Sequence, residues 1–458
     1  MLVAQTFQPV VTTGSVRRML FVLAVPVLTE QLLNALVGIG DTFWAGRVSA
    51  VATNAIGLAA YVAWLASMLF AMVGTGTTAL VSRFWGARQP EEANDIAHQA
   101  ILLAAAIGVA TSAALMALAP VFARMQGMSG ESGRIAVTYL RLNAISAPML
   151  SVTLAGSAAL RGAGDMRTPM AIQAAINVVN MIVSPCLLYG LGPLPALGVD
   201  GIALGTVTAE TLGAAIMIVL LVRGRAGLRL RPSRFRPEAA RIGRIMRIGI
   251  PAGADGVIMW SGHFVFLIII AYLATGAIGD AYYAAHIVAV RTEAFTYLPA
   301  IAWGTAAATM IGQALGAGDA KRAIRAGHEA VLQCGLLNCV VAVLFYAGAE
   351  QIYAIMHTDA LVRAAGVTPF RILALLQPVL GMSIVYIHGM RGAGDTRFPM
   401  LITLIGIIVV RLPIGYVCGT LLSGGLLGAW MGMCADIIWR ALAALIRYRG
   451  HRWVHTRV

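Results

Sequence analysis

The sequence predicts an all-α membrane protein of twelve transmembrane helices, built as two six-helix repeats. Three observations carry this expectation. Of 458 residues only 11% are charged while 59% are hydrophobic, and mean hydropathy is +0.82; a soluble domain carries roughly 25% charge. Twelve stretches reach the roughly 20 mainly apolar residues that a membrane span needs. A decapeptide also occurs twice, as RGAGDMRTPM at 161–170 and RGAGDTRFPM at 391–400.

The spans are expected at 19–44, 51–80, 97–122, 135–160, 169–190 and 201–222, then at 248–273, 281–311, 328–349, 365–388, 399–421 and 426–446. The first begins after Arg17 and Arg18, as a secretory leader would. Glu30, Gln31 and Asn34 interrupt it and no A-x-A site closes it, so it reads as a retained helix. Between spans four and five, and again between ten and eleven, the RGAGD loops read as a glycine helix stop, a charged turn and a proline opening the next helix. The same 230-residue offset relates Tyr139…Pro148 to Pro369…Pro378 and Gly86-Ala-Arg to Gly316-Ala-Gly, while Pro26…Glu30 and Pro251…Asp255 match at an offset of 225. Six spans return each repeat to its starting side, so the halves run parallel. The domains are therefore 1–222 as the N-lobe, 223–247 as an arginine-rich linker on the membrane surface, and 248–458 as the C-lobe.

The basic residues sort by side. With both termini on one face, that face holds 24 of the 33, including nine arginines between 223 and 247, against four on the other. The positive-inside rule then puts both termini in the cytoplasm, as a multi-pass protein of the cytoplasmic (inner) membrane. The net charge of +14 is thus mostly topology, and membrane lipid is the expected partner rather than nucleic acid. Lys321 is the only lysine and no Gly-Lys pair exists, which excludes a phosphate-binding P-loop. The five cysteines sit in apolar runs without CxxC or Cys/His spacing, so neither a disulfide framework nor a metal site is expected. No HExxH or GxSxG motif is present, and twelve spans in two repeats do not suit a seven-helix receptor.

Pro26-Val-Leu-Thr-Glu30-Gln31, Gly40-Asp41-Thr42, the two RGAGD…P loops, Asn177-Val-Val-Asn180, Arg291-Thr-Glu293 and Arg411-Leu-Pro413 recur in an order that resembles the multidrug and toxic compound extrusion (MATE) family. The resemblance implies two lobes around a V-shaped cleft and secondary export of cationic or amphipathic organic compounds in exchange for protons or sodium. It implies no enzyme activity and no cofactor beyond the coupling ion, and a monomer is expected. A lipid or lipid-linked saccharide flippase of the wider superfamily is the alternative. In the branch similar to DNA-damage-inducible protein F, the ion site uses an aspartate of helix 1, an Asn…Asp pair of helix 5 and a threonine of helix 6. Asp41, Asn180 and Thr206 match those positions, but Ser184 replaces the second aspartate, and this favours H⁺ over Na⁺.

The residues themselves also single out Asp41. Acids within spans are costly, by roughly 2.5–3.5 kcal/mol on insertion scales, and mark function by default. Position 271, its repeat counterpart, is alanine. Asp41 is read as the coupling carboxylate, with structural hydrogen bonding and substrate contact as alternatives. Glu30 and Asp255, each four residues after a proline, line the cleft or stabilise helix bends; Glu210 extends a hydrated path from Asp41 or faces the cytoplasm. Trp44, Tyr61, Met68, Met259, Trp260 and Tyr283 are candidate cleft residues, since rings attract cations and methionine adapts its shape. Asp436 with Arg440 reads as a surface ion pair, Arg291 with Glu293 as a structural one, and Arg141 and Arg371 as snorkelling arginines.

Overall fold

The computed structural model describes residues 14–48, 50–191 and 195–456, with side chains for 14–36, 56–191 and 195–456. These residues form α1 (Val16–Val48), α2 (Ala50–Gly86), α3 (Pro90–Met125), α4 (Gly130–Ala144), α5 (Ala147–Gly162), α6 (Arg167–Tyr189) and α7 (Val199–Arg223). They continue as α8 (Ala239–Ala271), α9 (Gly276–Gly316), α10 (Ala320–Ala347), α11 (Ala349–Met356), α12 (Ala360–Leu375), α13 (Gln377–Gly392), α14 (Arg397–Ile405), α15 (Leu412–Tyr416) and α16 (Gly425–Arg449). Among the described residues ten helical segments are long and apolar enough to cross a membrane, and counting each of two bent pairs as one span gives twelve. The fold class is therefore as expected: all-helical, membrane-spanning and repeated.

The repeat explains where the helices break. The bent pairs are α4–α5, at 41°, and α12–α13, at 52°, and they occupy the same register of the two halves. Each second helix opens with a proline, Pro148 or Pro378, whose missing N–H cannot continue the preceding ladder. Both RGAGD loops close in the same way: Gly164 and Gly394 take φ of +95° and +89°, and the amides of Asp165 and Asp395 reach back to the carbonyls of Leu160 and Met390. Asp165 Oδ1 then accepts from the Thr168 amide at 2.9 Å, capping α6. The eleventh span departs from a plain helix. Gly406–Arg411 and Val417–Leu421 are π-helical on either side of α15, and Pro413, which cannot donate, lies between them.

The described residues divide into two compact units, residues 29–250, and residues 14–28 with 251–456. In the first unit α2, α3 and α5 pack together and α6 packs on α7; in the second, α9, α10 and α13 repeat the first arrangement and the π segments with α15 pack on α16. Small residues allow the close pairs. A Cβ on Gly201 would stand 2.6 Å from the Leu187 carbonyl carbon, and one on Gly432 2.8 Å from the Gly415 Cα. The division falls within α1 and α8, so the opening turns of α1 count with the second unit and those of α8 with the first. Residues 223–247 also belong to the first unit, pinned on α3: Asn94 Oδ1 accepts from the Arg229 amide at 2.6 Å, His98 Nε2 from Arg231 at 2.7 Å and Gln99 Oε1 from Glu238 at 2.9 Å. Hydrogen bonds from Arg234 to Asp95 and Glu91 hold that guanidinium above its ordinary pKa.

Candidate functional site

In the first unit a polar stripe runs down α6. Gln173, Asn177, Asn180 and Ser184 recur at helical spacing, and the last three are buried. Asn180 Nδ2 donates to Thr206 Oγ1 on α7 at 3.1 Å, Gln173 donates to Asn177 at 3.0 Å, and Asn177 reaches Asn34 on α1 at 3.5 Å. Ser184 is 1% exposed, seated against Gly205, and its Oγ has no hydrogen-bond partner among the described residues. Three sequence-selected residues, Asn180, Ser184 and Thr206, are therefore neighbours. The side chains of Asp41 and Trp44 lie outside the described residues, although both positions fall within α1. One turn beyond Thr206, Glu210 buries an Oε2 without a partner among the described residues.

A second feature recurs in both units. Arg161 of the first RGAGD loop donates to Glu30, and Arg391 of the second donates to Asp255. The aspartates of the same loops hold arginines at the ends of the last helix of each half: Asp165 takes Arg225 at 3.1 Å, and Asp395 takes Arg447 at 2.8 Å. Each motif thus ties three helices of its unit at one end. Glu30 and Asp255 are buried, and each uses one carboxylate oxygen for its arginine while the other has no partner among the described residues. Arg141 and Arg371 also behave alike, donating to the carbonyls of Met116 and Tyr346.

The second unit encloses a polar cluster that has no equivalent among the described residues of the first. Asp436, 0% exposed, accepts from Arg411 Nε at 2.8 Å and Nη2 at 2.7 Å, from Arg440 Nε at 2.9 Å, and from Arg440 Nη2. Arg411 also meets His263 Nδ1 at 3.1 Å, and Arg440 donates to the Met259 sulfur at 3.1 Å. Glu293, buried on α9, faces both arginines and is hydrogen-bonded to Gln377. Two expectations change here. Asp436 and Arg440 form no surface pair, because helical register turns their face inward against the π segment; a Cβ on Gly406 would stand 3.3 Å from the Arg440 Cγ. Glu293 likewise points away from Arg291, which is exposed, since residues two apart lie on opposite sides of a helix. The signal that could have found the cluster was the co-occurrence of four ionisable residues in spans eight, eleven and twelve, three of which (Glu293, Arg411 and Asp436) correspond to uncharged residues at the 230-residue offset. Of the remaining cleft candidates, Tyr61 is 64% exposed, Tyr283 is exposed, Met68 is half-buried, and Trp260 stacks on Phe264 at 5.8 Å.

The MatE family model matches residues 26–186 and 235–417, which includes both RGAGD loops and their partners Glu30 and Asp255. The chain belongs to the MATE family. This is a transporter family rather than an enzyme family, so the MATE chain is an integral membrane transporter. It is 28% identical over 450 residues to a probable multidrug resistance protein NorM of Thermotoga maritima, covering 98% of this chain and 96% of that one. It is 26% identical to the multidrug resistance protein PmpM of Pseudomonas aeruginosa over 93% and 90% of the two chains. Among solved structures it superposes on an outward-facing multidrug resistance MATE transporter with a TM-score of 0.88, at 20% identity and 97% coverage of both chains. A MOP superfamily transporter from Pyrococcus furiosus gives 0.87 at 20% identity, over 98% and 97%.

Proposed function

We propose that this MATE transporter is a multidrug exporter of the cytoplasmic membrane that exchanges cationic or amphipathic organic compounds for protons by alternating access, with both termini cytoplasmic. The observation that carries the coupling reading is the buried stripe of α6 with a Ser184 hydroxyl that has no partner among the described residues. Asn34 of α1 meets Asn177 of α6 at 3.5 Å. Both helices begin odd-numbered spans and run in the same direction. Seven residues, about two turns, lead from Asn34 to Asp41 and from Asn177 to Ser184. This register supports reading Asp41 as a neighbour of the Ser184 hydroxyl, which has no hydrogen-bond partner among the described residues.

Asn180, Ser184 and Thr206 are neutral, so among these four residues Asp41 supplies the one negative charge. One carboxylate suffices for a proton, whereas sodium favours more oxygens and charge. Protonation removes Asp41's demand for polar neighbours and lets α1 move relative to α6 and α7, which releases substrate; deprotonation on the cytoplasmic side resets it. The driving force is adequate, because one charge moved through 100 mV is worth about 2.3 kcal/mol and one pH unit about 1.4 kcal/mol. Together these sustain a gradient of a neutral compound of roughly 500-fold.

Efflux of a fluorescent organic cation from proteoliposomes, under separately imposed pH and sodium gradients, tests this reading. The pH gradient alone is expected to drive transport. Transport driven by sodium alone would replace the proton with sodium.

A further inference from the structure

The charge excess leaves two arginines that no part of the transport machinery uses. Arg17 and Arg18 are exposed at the start of α1 and make no ion pair among the described residues. They stand on the rim of a groove of about 680 Å³ in the second unit, whose other walls are Ser15 and Phe21 of α1, Trp303 of α9 and Gln333, Leu336, Leu337 and Val340 of α10. We propose that this groove is a binding site for one anionic phospholipid, its phosphate held by Arg17 and Arg18 and an acyl chain lying on Phe21, Leu336 and Val340.

The floor of the groove is fixed. Trp303 Nε1 donates to Gln333 Oε1 at 2.9 Å, Gln333 Nε2 donates to the Arg17 carbonyl at 2.9 Å, and Phe21 packs edge-on against Trp303. These bonds set both the position of the two arginines and the path of the apolar wall below them. That wall is exposed, with Phe21 at 55% and Leu336 and Val340 both at 56%, so in a membrane it meets lipid chains. Arg322 donates to the Gly14 carbonyl and adds a third guanidinium near the polar end, while Asp319, the acid nearest it in the chain, caps α10 by accepting from the Arg322 amide. Glu329, an acid of that stretch of α10, lies in a separate hollow with Lys321, Arg325 and His328. Two cations above an apolar track match a headgroup phosphate and its tail, and they repel the organic cations assigned to the transport pathway.

The test uses the full chain in bilayers holding equal amounts of phosphatidylglycerol and phosphatidylcholine, one of them brominated on its acyl chains. Trp303 reports occupancy as the quenching lost in Trp303→Phe. Preferential quenching by the glycerol lipid is expected, and Arg17→Gln/Arg18→Gln should reduce that preference by about thirtyfold, from about fivefold per basic residue. Arg17→Lys/Arg18→Lys should retain it, and in the unmodified chain about 1 M salt should collapse it without any mutation. Equal quenching by the two lipids, a preference unchanged in the glutamine variant, or a preference that survives 1 M salt overturns the site. So does a chain lacking residues 1–12 that binds lipid where the full chain does not, since that segment would then be the occupant.

Discussion

Asp436 is the residue whose replacement the structure prices most clearly. Its carboxylate takes both arginines, with contacts of 2.7 and 2.8 Å to Arg411 and 2.9 Å to Arg440, at 0% exposure. Asp436→Asn keeps the volume and removes the charge, leaving two buried guanidinium groups with Glu293 as the remaining acid. Removing one partner of a buried ion pair costs about 3–5 kcal/mol, mostly because the stranded charge cannot be solvated. Three kcal/mol is roughly a hundredfold change in the folded-to-unfolded ratio. Adding Arg440→Met removes one of the stranded cations and fills its space with an apolar chain, so the double variant should recover half of the loss or more. Unfolding in detergent followed by tryptophan fluorescence measures both. If Asp436→Asn unfolds within about 0.5 kcal/mol of the unmodified protein, or if the double variant is no better than the single, then charge neutralisation is not what holds this cluster.

The repeated brackets make a parallel prediction. Glu30→Gln and Asp255→Asn should each lower stability by on the order of 3 kcal/mol, and the exchange Glu30→Arg/Arg161→Glu should recover part of it in the same thermal assay. On α7, Gly205→Ala places a Cβ 2.8 Å from the Ser184 Cα, and forcing α6 and α7 apart should cost about 1–3 kcal/mol. Gly57→Ala, which meets nothing within 4 Å, is the control and should leave the unfolding temperature unchanged or raised.

Much of the fold was legible because the membrane simplifies the code: apolar length marks a span, and a decapeptide repeated at 230 residues marks the two halves. The repeat aligned Pro148 with Pro378, but the bends that the structure shows there were not read from the sequence, which pointed to Pro26 and Pro251 instead. What stayed hidden depends on rotation about a helix axis. Asp436 and Arg440 are four apart on a helix near its polar end, a spacing equally suited to a surface pair. Only the packing of α16 against the π segments, made possible by Gly406, turns them inward. Likewise the partner of Glu30 is 131 residues away in the chain. Both motifs, the proline-plus-acid and the RGAGD arginine, were visible and both repeated, yet nothing in either spacing joins them. Asn180, Ser184 and Thr206 came together because helical periodicity on α6 and a resemblance pointed to the same face.

The central claim is that a single carboxylate on α1 couples the proton gradient to export. Efflux of a fluorescent cation from proteoliposomes, driven by an imposed pH gradient with Asp41→Asn and Asp41→Glu compared at equal protein incorporation, tests it most directly. The asparagine variant should lose pH-driven efflux while still binding substrate, and the glutamate variant should retain a measurable part of it. Undiminished pH-driven efflux by Asp41→Asn would contradict the account.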